Sequence, residues 1–161
     1  GFLSYPSAVY TVPYGVMVPK EVDNLLLPVP VSGSHIGFST LRMEPCWMAM
    51  GQAAGIASAL SIDGKVKVQN INLSRLQDKL IDQKATLMYF KDVDYTSPHF
   101  RMVQYLGLRG YLPEWTARLQ EPVDATTLAA WKKLSGTDLP GIEAGKTTRL
   151  ATLEMIYRKI K

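Results

Sequence analysis

The 161-residue sequence predicts an α/β fragment, a closing strand, loop and helix, followed by a mostly α-helical subdomain. Three features carry that expectation. An extended apolar run spans Leu25 to Val31, a stretch rich in small residues runs from Pro45 to about Ser61, and locally punctuated helical patterns fill the rest of the chain. The first 88 residues are assigned to one domain and residues 89–161 to a small helical subdomain.

Taken in order, Leu25–Val31 is short, continuous and apolar, as a buried strand would be, although Pro28 and Pro30 argue for an edge or distorted strand. A loop of Ser, Gly and His follows. The next helix should open at Glu44-Pro45, because proline lacks the N–H that a first helical turn leaves unpaired and its φ is already helical. Gly51 and Gly55 lie four apart on one face of that helix, and each glycine costs about 1 kcal/mol relative to alanine. Close approach of a backbone or a flat ligand would explain them; ordinary packing against a sheet is the plainer explanation. The same spacing occurs in membrane dimers, but Gln52 and Ser58 interrupt a stretch already short of the roughly 20 apolar residues a span needs. No membrane span is expected.

Lys65-Val66-Lys67-Val68 alternates like a short strand, and Leu73, Leu76 and Leu80 then repeat at helical spacing behind an Asn72 cap. Ser97-Pro98 starts a helix through Phe100, Val103 and Leu106. Asp124 caps another, with Val123 and Leu128 as a hydrophobic staple, Trp131 and Leu134 on its face and Gly136 past its end. The last helix begins near Thr148 and carries Leu150, Leu153, Tyr157 and Ile160 on one stripe.

Composition narrows the function. A net charge of +4 could suit nucleic acid, but the basic residues are interleaved with acids and form no run beyond Lys132-Lys133, so a solvated surface is expected and no nucleic-acid partner. The single cysteine, Cys46, excludes an internal disulfide and a cysteine-rich metal site. It sits near a helix start, where a thiol pKa can fall, or it is a packed, inert thiol. His35 lies in the Ser32-to-Gly37 loop with Arg42 nearby in sequence, and such a pair could polarise a carbonyl or hold a carboxylate with the imidazole moving a proton. His99 stands alone, no metal-ligand spacing exists, and neither G-x-S-x-G nor H-E-x-x-H occurs.

Tyr14-Gly15, Pro19, Val22-Asp23-Asn24-Leu25-Leu26, Ser32-Gly33-Ser34-His35, Arg42-Met43-Glu44-Pro45 and Gly51-Gln52-Ala53-Ala54-Gly55 together resemble the C-terminal flavin motif of the FAD-dependent oxidoreductases. The likeness is to the branch in which some chains carry the label xanthan lyase. It implies that the Leu25–Val31 strand closes an FAD-binding domain and that the next helix points its N-terminus at the flavin. It further implies cofactor contacts at Ser34, Met43, Glu44, Pro45, Cys46, Gly51 and Gln52; the catalytic roles expected of His35 and Arg42 rest on their residue types and their nearness in sequence. A positive helix end there would stabilise charge at the pyrimidine edge of a reduced flavin.

The twelve glycines contain no G-x-G-x-x-G, so the phosphate cradle of a dinucleotide fold is absent. The chain is therefore expected to be a fragment whose partner is the missing N-terminal FAD-binding portion of the same protein. FAD would belong to the full-length protein, none being held by this chain alone. Substrate, small molecule or carbohydrate, is left open, as is export, since a leader would lie in the missing part. Pro28-Val29-Pro30 departs from the commoner "aGR" of the family after the strand.

Phe90-Lys91-Asp92-Val93, Pro98-His99-Phe100, Tyr105-Leu106, Gly110 and Thr148-Arg149 carry a weaker resemblance to S-layer-homology modules, and internal packing explains the same residues. Loop aromatics Tyr95, Tyr111 and Trp115 could bind carbohydrate or plug a junction. A lyase reading would cast Tyr10, Tyr14, His35 and Arg42 as base and charge neutraliser, but their spacing does not demand it.

Overall fold

The computed structural model describes residues 8–161, which form six α-helices and two 3-10 turns. Among the described residues there is no strand or sheet, only one isolated antiparallel bridge between Pro122 and Thr148. This overturns the α/β expectation. Leu25 to Val31 runs as irregular chain because nothing offers it a ladder and its two prolines cannot donate to one. Its amides bond in turns instead: Leu27 N–H to the Met17 carbonyl (2.8 Å), Val31 to Val29 (2.9 Å) and Ser32, just after it, to Val16 (3.2 Å). The expected strand at Lys65–Val68 is absent as well. Lys65 is a left-handed helix cap, and Val66 is 41% exposed while Val68 is 4% exposed, so the two valines do not share a face as strand residues would.

The chain divides into two compact units, Gly1–Gln83 and Lys84–Lys161. In the first, a 3-10 turn at Tyr14–Met17 is followed by α1 (His35–Leu41), α2 (Glu44–Gly64), a 3-10 turn at Val68–Asn70 and α3 (Leu73–Asp82). Met17, Val31, Leu41, Met50 and Ala54 form a small core, with Cys46 and Trp47 packed on it. α3 lies on α2 and buries Leu76, Leu80 and Ile81, while Leu73 at its exposed start stays out. As the sequence suggests, the Asn72 side chain caps α3 by accepting the Arg75 N–H at 3.1 Å.

The second unit contains α4 (Phe100–Gly107), α5 (Ala125–Ser135) and α6 (Arg149–Ile160), with α4 against α6. Its core is much larger and includes Phe90, Val103, Leu106, Leu112, Val123, Trp131, Leu153 and Ile156. α5 and α6 begin at the predicted caps, Asp124 accepting the Thr127 N–H (2.8 Å) and Thr148 the Ala151 N–H (3.2 Å). Gly136 ends α5 at φ 61. Both staple residues, Val123 and Leu128, are buried, but Leu134 is half exposed. α4 starts at Phe100 rather than at Ser97-Pro98, since the Ser97 hydroxyl ties the His99 N–H into a preceding turn at 3.2 Å. The buried Gln104 amide accepts the Leu87 and Met88 N–H groups (2.8 Å each) and donates to the Met88 carbonyl (2.7 Å), so every polar atom it buries has a partner.

Candidate functional site

The segment expected as an open loop is partly helical. Ser34 is the N-cap of α1, its hydroxyl accepting the Gly37 N–H at 3.1 Å, and His35 is the first residue of that helix. Arg42 caps the other end, its N–H bonded to the Phe38 carbonyl at 3.0 Å. The rest of α1, Ile36 to Leu41, separates the two, which is about 10 Å along the axis. His35 and Arg42 thus share one short element but sit at its opposite ends. Both are exposed, and neither forms an ion pair among the described residues.

Met43 is the N-cap of α2 and supplies no side-chain acceptor; its carbonyl takes the Cys46 and Trp47 N–H groups at 3.0 and 3.1 Å. The start of this 21-residue helix therefore has no side-chain cap, and exposed Glu44 in its first turn, with Pro45 after it, leaves the Glu44 N–H as the one backbone donor there without a bond among the described residues. Cys46 is half-buried on the small core. The neighbouring Trp47 buries its indole Nε1–H with no acceptor among the described residues, an uncompensated donor beside the helix start.

Gly51 and Gly55 are exposed, and a Cβ built on either meets nothing within 4 Å. Within the described residues no close approach accounts for them. They lie on a face of α2 that also exposes Met48 (74%) and Ile62 (76%). Gln52 on the same helix donates from its amide to the Gln83 side chain at 2.9 Å. Ile36, Phe38 and Met43 are exposed on α1 and the junction, so apolar surface runs along the site segment.

Tyr14 is committed elsewhere. Its phenol donates to the Val68 carbonyl at 2.9 Å, and burial pushes its pKa above 10.0, so it is a fixed donor and not a ready base. Tyr10 is exposed.

Residues 2–80 match the family model described as FAD dependent oxidoreductase. The matched span is just under half of the chain and ends inside the first unit. No curated protein and no solved structure matches the chain. The xanthan lyase label has no support in these comparisons.

FAD-dependent chemistry can be tested against the residues present. A helix start without a side-chain cap and an open Gly51/Gly55 face leave room for the ring end of such a cofactor, whereas the buried Trp47 indole N–H is out of its reach. The adenosine and pyrophosphate end has no glycine-rich cradle in this sequence. The fit is to part of the group.

The second unit holds a cavity of about 210 Å³ lined by Trp131, Arg149, Arg118, Glu114 and Thr127 among others, which sequence reasoning missed. Arg149 is 7% exposed, stacks 4.9 Å from the Trp131 ring centre and donates from Nε to the Ala117 carbonyl at 2.9 Å. Burial, and then the nearby Arg118, lower its pKa below the usual guanidinium value. Asp92 accepts the Ala117 and Arg118 N–H groups at 2.9 and 2.7 Å, holding Arg118 at φ 51. The Asp-Val and Thr-Arg stretches noted in the sequence thus converge on one peptide. Of the loop aromatics, Tyr111 is buried with its carbonyl bonded to the Trp131 indole at 2.7 Å, whereas Tyr95 and Trp115 are exposed.

Among the described residues no group of His, Cys, Asp and Glu could hold a metal ion, and no helix is long and apolar enough to cross a membrane.

Proposed function

We propose that the first unit completes the flavin site of an FAD-dependent oxidoreductase, with the dinucleotide cradle supplied by another part of the same protein. The observation that carries this reading is the uncapped start of α2, followed on that helix by two exposed glycines with free space above them, within the span that matches the family. Bound there, the flavin would supply two-electron redox chemistry. The chain's own contribution is electrostatic and steric. The α2 start, beside Met43, Pro45 and Cys46, would hold negative charge at the ring edge through the helix dipole, with the Glu44 carboxylate turned away to solvent, while Gly51 and Gln52 would let a flat surface approach the helix. Ser34 fixes the start of α1, and so the position of His35, which would handle a substrate proton; Arg42 would stabilise anionic charge.

Two measurements test this. The chain alone should elute from gel filtration without visible flavin absorbance after incubation with FAD; tightly retained yellow colour would refute the need for a second portion. In the flavin-loaded protein that contains this sequence, Arg42→Ala should lower kcat/KM by about 10²-fold while leaving the melting temperature nearly unchanged, because Arg42 is exposed and fills no core volume. Wild-type turnover in that variant would make Arg42 structural only.

A second reading, a carbohydrate-binding role, applies to the helical unit. It is favoured by the buried Arg149 guanidinium, which donates to the Ala117 carbonyl, beside a cavity with a tryptophan wall. An acidic saccharide would suit that charge. Affinity electrophoresis through gels with acidic or neutral polysaccharide tests it, and equal mobility in both would refute it.

A further inference from the structure

Asn24 is one of four non-glycine residues with positive φ among the described residues, at 57°, and its surroundings link two distant parts of the first unit. Its side-chain carbonyl accepts the Val68 N–H at 3.3 Å, and its own N–H donates to Gln69 Oε1 at 3.4 Å. Gln69 Nε2 returns a bond to the Val22 carbonyl at 3.0 Å, the Lys67 ammonium pairs with Asp23, and the Tyr14 hydroxyl reaches the Val68 carbonyl at 2.9 Å. Each of the long, exposed bonds is weak alone, as is the surface ion pair. Together they fasten residues 22–24 to residues 67–69.

The topology gives this fastening its consequence. From Asn24 the chain runs through Leu25–Val31, the Ser32–Ser34 loop, α1 and all of α2, and returns to Val68, 44 residues later. The far end of α2 is itself anchored there: Lys65 caps it, the Val66 N–H bonds to the Ser61 carbonyl at 3.0 Å, and the Ser61 hydroxyl bonds back to the Val66 carbonyl at 2.5 Å. The ring that holds the α2 start and the His35–Arg42 segment is therefore closed by the latch. Because Leu25–Val31 has no strand ladder, its register depends on the latch and on two backbone bonds, Leu27 to Met17 and Ser32 to Val16.

We infer that Asp23-Asn24 and Lys67–Gln69 form a latch that sets where the Ser32–Arg42 segment stands relative to the start of α2, making Asn24 a positioning residue for the site. The inference rests on the flavin reading for its functional part only. Asn24 suits the task because asparagine tolerates the left-handed region and still offers an acceptor. Three variants separate these properties. Asn24→Gly keeps the conformation and loses the acceptor, Asn24→Asp keeps an acceptor, and Gln69→Ala opens the latch from the other side without touching the strained residue.

In the chain itself, amide exchange at Leu27 and Ser32 should be about tenfold faster in Asn24→Gly and Gln69→Ala, and near wild type in Asn24→Asp. Unchanged exchange in both opened variants overturns the latch. In the flavin-loaded protein containing this sequence, the same two variants should shift the flavin reduction potential and lower kcat by about tenfold, with rescue in Asn24→Asp. Faster exchange with an unmoved potential and kcat overturns the positioning role. If the wild-type protein holds no flavin, the flavin reading falls with the positioning role, and the exchange arm alone still decides the latch.

Discussion

Single side chains decide where this chain turns, and Asp124 shows how. Its carboxylate accepts both the Thr127 N–H and the Thr127 hydroxyl, and these bonds, the hydroxyl first, hold its pKa below 3.8. A carboxyl whose folded pKa is depressed stabilises the fold above its unfolded pKa, and that contribution disappears as pH falls through the lower folded value. Asp94, bonded to Thr96, shifts in the same direction. Thermal melts of the wild type should therefore lose stability on acidification below about pH 4. Asn caps as well as Asp but cannot titrate, so Asp124→Asn should melt close to wild type near neutrality and show a shallower acid dependence. An identical acid profile for the two proteins would assign the loss to other groups. Caps of this kind were legible in the sequence, because a cap is a contract between residues three apart: Asn72, Asp124 and Thr148 all cap as read. Lys84, just past the end of α3, is left-handed at φ 63, its ammonium 5.6 Å from the Phe100 ring centre.

At the scale of elements, helices were readable and strands were not. α2 was visible from Pro45 and its small residues, and α3, α5 and α6 from their stripes and caps. Leu25–Val31 has a strand's composition, but whether it becomes one depends on neighbours that its own residues do not specify. α1 was missed because its only signals are the Ser34 cap and seven residues with two apolar side chains exposed, Ile36 and Phe38. The glycines of α2 offer a test that separates local from assembled effects. With open space at both positions, Gly51→Ala and Gly55→Ala should each stabilise the isolated chain by roughly 0.5–1 kcal/mol through helix propensity. If a flat partner covers that face in the flavin-loaded protein, Gly51→Leu should weaken flavin retention there while leaving the isolated chain folded. Stabilisation in the isolated chain together with normal flavin retention for Gly51→Leu would mean that the face stays uncovered.

For the whole molecule, the two units differ in how much apolar surface they bury. The core of the helical unit gathers aromatic and branched side chains from all three of its helices and the intervening loops, including Phe90, Val103, Leu112, Trp131 and Leu153. Its loops are fastened by buried polar groups with partners, Gln104 to residues 87–88, the Trp131 indole to Tyr111, and Arg149 to Ala117. The first unit has a core of Met17, Val31, Leu41, Met50 and Ala54 under α1 and α2, and exposed apolar residues along both helices. Hydrophobic burial scales with area at roughly 25 cal/mol per Å², so the helical unit should hold most of the stability. Residues 84–161 made alone should give a cooperative, sigmoidal melt, and residues 1–83 alone a broad transition with dye-detectable apolar surface. In the flavin-loaded protein, removing the chain from about Lys91 onward should leave the flavin bound, since the matched span ends at residue 80. Loss of flavin from an otherwise folded truncation would bring the helical unit into the cofactor site. A non-cooperative melt of residues 84–161 would show that its core is completed by residues outside it.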